Sequence, residues 1–425
     1  MNSMTMFAVI TGLFLGVPPG IQAAPGAHPH MAYACGLWKE PVPSWCMGTL
    51  MGIANLSIAA EEAVVGGTDG LIAFYQEQRG DTADIYIMNS NGSGLRRLTT
   101  DGSQSNRCPA FSFDGRQMAF TSARGGIDQI HIMNADGSNQ RRVTHSSGQE
   151  IHPAWSPDGK KIVFCRMTGG VWQIFTINTD GTGEKRLTNT SSKETHPWWS
   201  PDGKKIVFGS NRSGSEDILV MNADGSRQTR LTSASTGEYL PCWSPDGSRI
   251  AYTVMLDPQH PMMFPRDLFI MNADGPGVQR ITDGPGNVNE DGEWSPDGKR
   301  LVFQSDRTGR YQLYVLDLES GAQTRLTTDS FNDYWPAWGT TRPTVATITS
   351  QTGKPGKQAI IYGMAFSAVA TQNVVTFGQH KATVSSASMA MLAAKIPGTC
   401  KSGITYAVKV KANGQTSRPY AFTVK

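Results

Sequence analysis

The 425-residue chain carries 38 Lys and Arg against 35 Asp and Glu, a formal charge of +3, so the bulk charge gives no case for nucleic-acid binding. Gly (46) and Trp (10) run high and charged residues make up only 17%, a balance that suits a turn-rich, all-β globular protein long enough for two or three domains. The six cysteines show neither CxxC nor CxxCH spacing, which excludes a redox motif and covalent haem, and they do not form a disulfide framework.

The first predicted segment is a leader. Met6 to Val17 is a short apolar run, followed by Pro-Pro-Gly and Ile21-Gln22-Ala23-Ala24, which reads as a signal peptide over 1–24, although no Lys or Arg precedes the core. A second apolar stretch, Trp45 to Ala60, is too short and interrupted for a membrane span. It is the alternative signal core if translation starts further downstream. Either way the expected location is the periplasm or the cell exterior, where Cys35 and Cys46 of the 25–66 segment could pair.

A repeat begins near Asp69. Phe111-Ser-Phe-Asp-Gly115, Trp155-Ser-Pro-Asp-Gly159, Trp199-Ser-Pro-Asp-Gly203, Trp243-Ser-Pro-Asp-Gly247 and Trp294-Ser-Pro-Asp-Gly298 precede a decayed copy at Trp338. The aromatic residues are spaced by 44, 44, 44, 51 and 44 residues, a fixed period that signals repeat architecture. Within each unit, four strand-like runs are joined by Pro-Asp-Gly and Asn-Ala-Asp-Gly type turns, the pattern of an antiparallel meander. The second and third runs, such as Ile206-Val-Phe and Ile218-Leu-Val-Met, are apolar on both faces and demand cover on both sides. The fourth run, Arg-Leu-Thr or similar, is short and polar like an outer edge strand. Second strands are expected at Leu71–Tyr75, Gln117–Thr121, Lys161–Cys165, Lys205–Gly209, Arg249–Val254 and Arg300–Gln304. The array opens on a second strand and ends on a first strand at Trp335–Trp338, so the last strand should complete the first unit and close a ring over 67–341.

The phrase Trp-Ser-Pro-Asp-Gly-Lys-Lys-Ile-Val-Phe, with Ser-Asn-Arg-Ser-Gly (210–214), Ser-Asp-Arg-Thr-Gly (305–309), Met-Asn-Ala-Asp-Gly and Arg-Leu-Thr, resembles the repeat of TolB-type β-propellers. The resemblance implies six blades, protein binding and a periplasmic setting. The segment before Asp69 is too short for the α/β domain that precedes the TolB propeller. The same ring also fronts prolyl-oligopeptidase-like enzymes.

From Pro343 the phrase stops. Alternating runs at Gln358–Tyr362, Val374–Phe377, Tyr406–Val410 and Tyr420–Val424 suggest an immunoglobulin-like β-sandwich over 343–425. Gly353-Lys-Pro-Gly356, Gly363-Met-Ala-Phe366, Val375-Thr-Phe-Gly378 and Asn413-Gly-Gln-Thr-Ser417 resemble the IPT/TIG domain, with Ser350 in place of a usual Pro and Ala365 in place of a second Gly. The expected fold is all-β: a six-bladed β-propeller with a C-terminal immunoglobulin-like sandwich.

Candidate site residues lie upstream of each repeated aromatic. Five residues before it stand Asn106, Glu150, Glu194, Glu238, Asn289 and Asp333. Three before it stand Cys108, His152, His196, Leu240, Asp291 and Trp335. A closed ring would gather Asn106, Glu150, His152, Glu194, His196, Glu238, Asn289, Asp291 and Asp333 at one channel mouth as an acidic collar. Such a collar would attract a cationic peptide or protein segment, or Ca²⁺, which takes oxygen ligands. The plain alternative is an internal device accepting bonds from backbone amides or from Arg124, Arg212 and Arg307. The Asp of each Pro-Asp-Gly is read as a turn residue, and the Trp series as inter-blade packing.

No Gly-x-Ser-x-Gly elbow occurs, so a binding or scaffold protein taking a protein, a peptide or a cell-surface glycan is expected, with no cofactor. The alternative is a propeller enzyme, a polysaccharide lyase or hydrolase, working through the same channel. The insertion Met255 to Asp267, rich in Pro and Met and containing His260, is a further candidate recognition loop.

Overall fold

The computed structural model describes residues 70–77, 82–100, 105–256, 265–283, 287–340, 343–350 and 353–425, all within the single unit Gly67–Lys425. The leader, the 25–66 segment with Cys35 and Cys46, His260 and most of the 255–267 insertion lie outside the described residues.

Each 44-residue repeat folds as one four-stranded antiparallel sheet. In the third sheet, Glu150–Trp155, Lys161–Thr168, Val171–Asn178 and Lys185–Arg186 pair in chain order. The second sheet starts at Asn106–Phe111, the fourth at Glu194–Trp199, the fifth at Glu238–Trp243 and the sixth at Asn289–Trp294. All repeat that order. The first sheet borrows its inner strand: Leu71–Glu77 pairs with Asp333–Gly339, Leu71 opposite Gly339 and Gln76 opposite Asp333. Among the described residues there is no α-helix, one 3₁₀ turn at Ala370–Gln372, and no helix long and apolar enough to cross a membrane.

The turns fix the strand register. Ser156 donates its hydroxyl to Asp158 (2.6 Å) and accepts the Lys161 N–H (2.9 Å), while Gly159 takes φ +69°. Ser200–Asp202, Ser244–Asp246 and Ser295–Asp297 repeat the hydroxyl bond, so the repeated Ser and Asp are spent on the turn.

Apolar faces meet between sheets. Ile85 and Ile87 of the first sheet pack with Phe111 and Phe120 of the second, and Trp155 and Phe164 of the third pack with Ala110 and Ile130 of the second. The last contact closes the circuit: Val302 and Leu313 of the sixth sheet pack with Ile72, Phe74 and Trp338 of the first. Full burial of each such side chain contributes about 1.5–3 kcal/mol. Trp155 also donates its indole N–H to the Ala110 carbonyl of the neighbouring sheet at 3.1 Å. The fourth strands are two or three residues long and mostly exposed, so the outer edge offers little ladder to a foreign strand.

After Pro343 the chain forms two further antiparallel sheets. One orders Thr344–Thr349, Gln358–Met364, Met391–Lys395 and Thr383–Ala387; the other is built on Thr405–Ala412. They share a core that includes Ile361, Phe366, Phe377, Leu392, Val408 and Val410. Cys108, Cys165, Cys242 and Cys400 are free and buried.

Candidate functional site

Every inner strand carries the same irregularity. The ladder slips between Arg107 and Ala110, Ile151 and Ala154, Thr195 and Trp198, Tyr239 and Cys242, and Glu290 and Glu293, and opposite the closing strand between Ala73 and Tyr75. At the slip, a non-glycine residue adopts left-handed backbone: Cys108 (φ +51°), His152 (+56°), His196 (+52°), Leu240 (+54°), Asp291 (+62°) and Trp335 (+56°). This conformation costs an L-residue about 1–2 kcal/mol. A bulge re-aims its side chain and ends the local ladder. Neighbouring sheets hold the bulges in place. Thr253 Oγ1 accepts the Asp291 N–H at 3.3 Å, and Gln304 Oε1 accepts the Trp335 N–H at 2.7 Å.

Five of the six bulged side chains, His152, His196, Leu240, Asp291 and Trp335, line one cavity of about 50 Å³ at the centre of the sheets. The His152 ring stacks on Trp335 (4.7 Å between centroids, 8° between planes) and on His196 (4.2 Å, 25°). His152 Nδ1, His196 Nδ1 and Asp291 Oδ2 are buried without a hydrogen-bond partner. Desolvation is the largest influence on the titration of each. Burial, then Lys193, lowers His152 to about 3; burial, then His152 and Lys193, lowers His196 well below the usual imidazole range. Burial, then Glu290 and Glu293, raises Asp291 well above the usual carboxyl range, and burial raises Glu293 to about 8. Burial thus disfavours the charged form of all four groups. Among the described residues no group of three or more His, Cys, Asp or Glu is placed to hold a metal ion.

The second predicted series lies elsewhere. Asn106, Glu150, Glu194, Asn289 and Asp333 are fully buried and Glu238 is 5% exposed. Glu150 accepts bonds from Arg166 and Ser146, both at 2.7 Å, and Glu194 from Arg212 (2.8 Å) and Thr190 (2.7 Å). Asn289 joins Arg307 to Asp267, Asn106 accepts the Ser122 hydroxyl, and Asp333 accepts from Gln76. Glu238 is bonded by Thr232 and the Ala234 backbone. The two predicted series thus separate: His152, His196 and Asp291 face the cavity, whereas the other six are tied into bonds within and between sheets.

The residues directly before each bulge were not among the predicted site residues. Tyr334 stacks on Tyr75 (5.3 Å) and meets Tyr311 (4.8 Å). Arg266 pairs with Glu290 and lies 5.9 Å from the Tyr239 ring centroid. The Tyr75 phenol is raised by burial, then by Cys108 and Asp291. The signal was the register itself: Arg107, Ile151, Thr195, Tyr239, Glu290 and Tyr334 all stand four residues before the repeated aromatic.

The sequence model of the TolB beta propeller domain matches residues 68–169, 143–265 and 241–420. The chain belongs to the TolB β-propeller family. Among solved structures, TolB from Acinetobacter baumannii superposes with a TM-score of 0.55 at 21% identity, covering 67% of this chain and 71% of that one. A TolB candidate from Agrobacterium tumefaciens gives 0.50 at 21% identity, covering 64% and 92%. An uncharacterized protein of Agrobacterium fabrum is 32% identical over 70 residues, so the match spans 16% of this chain and about a quarter of that relative.

The opposite end of this TolB-type channel is covered from within the chain. Trp199, Trp243, Trp294 and Trp338 line a second cavity together with Met364 of the C-terminal sheets. Ala365 donates its N–H to the Phe113 carbonyl at 2.7 Å, and Met389 donates to the Pro157 carbonyl at 3.0 Å. The two C-terminal sheets are therefore docked on the Ser-Pro-Asp-Gly turns, and the inner bulges face the other end.

Proposed function

We propose that the protein is a six-bladed TolB-like propeller with an IPT/TIG, immunoglobulin-like module, acting in the periplasm or outside the cell to bind a protein or peptide at the bulge-lined mouth. The observation that carries this reading is the set of six left-handed, non-glycine residues, five of which line one cavity, because strain of this kind collects at ligand clamps. The ligand would meet Tyr239, Tyr311, Tyr334 and the Arg266–Glu290 pair at the rim, and the His152, His196, Asp291 and Trp335 side chains deeper in. A cationic side chain entering beside Asp291 would draw off its proton and restore a full charge pair in a desolvated site. The buried series, Asn106, Glu150, Glu194, Glu238, Asn289 and Asp333, supports the mouth from beneath.

Crosslinking capture from periplasmic and secreted extracts tests the proposal. Tyr239→Ala with Tyr334→Ala, and separately Asp291→Asn, should each lower partner recovery about tenfold or more with the melting temperature held. Unchanged recovery with both variants would remove the mouth from the binding surface. Turnover of a polysaccharide or peptide by the wild type would favour the enzyme reading instead.

A further inference from the structure

Charge is not spread evenly along this chain. Nine of its 38 Lys and Arg, and none of its 35 Asp and Glu, lie after residue 342, so the C-terminal 83 residues carry +9 and the preceding residues −6. At the acidic frequency of the rest of the chain, about eight carboxylates would fall in a segment of this length. The basic residues are therefore segregated, a feature hidden by the bulk charge of +3.

The fold gathers part of that charge at one place. Met364, Ala365 and Met389 touch the propeller. The strand Gln358–Met364 runs away from that contact, so its Gln358 end lies about 20 Å further out at 3.4 Å per residue. At that outer end, Gln358 pairs with Lys395 and Ile396 donates its N–H to Lys357 O at 2.8 Å. Lys425 donates to Gly353 O (2.8 Å) and Gly403 to Val424 O (2.7 Å), which ties the Lys401 loop and residue 425 to the same pole. Lys357, Lys395, Lys401 and Lys425 are all exposed there, beside Ile404, an apolar side chain left 48% exposed.

We infer that this pole is a peripheral docking surface for an anionic phospholipid bilayer. A convex tip of loop lysines around one exposed aliphatic side chain matches a plane of phosphate headgroups over an apolar interior. Its aromatic content beside Lys401 is Tyr406, which accepts the Lys401 N–H at 2.9 Å, with His380 edge-on to it, a short pair rather than the row of stacking rings that tracks a single nucleic-acid strand. Because the C-terminal sheets hold the propeller by its turn end, docking at the outer pole leaves the bulge-lined mouth facing away from the bilayer.

Sedimentation of the full chain with vesicles tests this. The protein should pellet with phosphatidylcholine vesicles containing 30% phosphatidylglycerol and stay in solution with pure phosphatidylcholine. Binding should fall as NaCl rises from 0.05 to 0.5 M. Each of K357Q, K395Q, K401Q and K425Q should lower the partition coefficient about fivefold, and the four together at least about 100-fold with the melting temperature held. I404A should weaken binding without changing its salt dependence. Equal binding to both vesicle types, no binding to either, or a quadruple variant that binds like wild type would each overturn the proposal. So would concentration-dependent self-association abolished by the four substitutions when vesicles bind nothing, which would place the acidic propeller of a second copy on the pole.

Discussion

Asp291 and Glu293 line a cavity where burial raises both carboxyls, while burial lowers His152 and His196. The two pairs oppose each other in the pH dependence of stability. Below about 6.5 an unfolded histidine binds a proton that folded His152 and His196 refuse, so they favour folding as pH rises to that point. Above 4.5 an unfolded Glu ionises while folded Glu293 holds its proton up to about 8, so this carboxyl disfavours folding as pH rises across that window. Between pH 6.5 and 8 only the carboxyl effect remains from this cluster. The melting temperature should therefore fall over that interval, and Glu293→Gln should flatten the slope in a thermal-melt series. A slope unchanged by Glu293→Gln would remove this residue as its cause. The supporting carboxylates behave differently: Glu194→Ala removes a buried acceptor shared by Arg212 and Thr190, which keep Ser210, Gln228 and the Ser192 carbonyl, and should cost about 1–3 kcal/mol in urea unfolding.

The second turn of each sheet shows a choice made repeat by repeat. After Asn-x-Asp-Gly-x, or Asn-Ser-Asn-Gly-Ser in the first sheet, the left-handed position is Gly94, Gly183 and Gly277 in three repeats, Asn139 in another and Arg227 in the fourth sheet. Arg227 is exposed at φ +53°, so Arg227→Gly should raise stability by about 0.5–1 kcal/mol, read as a higher urea midpoint at constant slope. Strands themselves were legible because apolar runs and turn phrases coincide. The six expected second strands occur within one to three residues of their predicted ends, as in Lys161–Thr168 against Lys161–Cys165. The inner-strand bulge was not read, although Pro109, Pro153, Pro197, Pro241 and Pro336 repeat inside it. Proline within a strand marks an edge or a bulge. Here it follows directly on the left-handed residue that turns a side chain toward the axis. Three of the nine predicted collar residues, His152, His196 and Asp291, line the cavity, and it is their shared register that groups them. Tyr239 and Tyr334 were passed over because the neighbouring positions Glu238 and Asp333 drew the charge argument to themselves.

At the scale of the molecule, the closing strand meets its neighbours at close quarters. A Cβ on Gly339 would lie 2.4 Å from the Phe111 ring, so Gly339→Ala should overpack the seam between the first and second sheets. The expected loss is about 1–3 kcal/mol, seen as a lower melting temperature for the propeller. The +9 of the C-terminal segment escaped the sequence reading for a physical reason of the same scale: a net charge near zero is a sum over regions, and two opposite regions cancel in it.

Closure by a shared strand also orders events in time. The second to sixth sheets are made of consecutive segments and can each form as soon as their own residues are available. The first sheet cannot, because Leu71 must wait for Gly339. Throughout synthesis or export of the residues between them, Leu71–Glu77 keeps an unpaired edge. Such long-range pairing makes the final step of folding slow and open to the wrong partner. Refolding should therefore show a fast phase from local meanders followed by a slow one, and the chance of two chains exchanging their last strand is set by how long that edge stays bare.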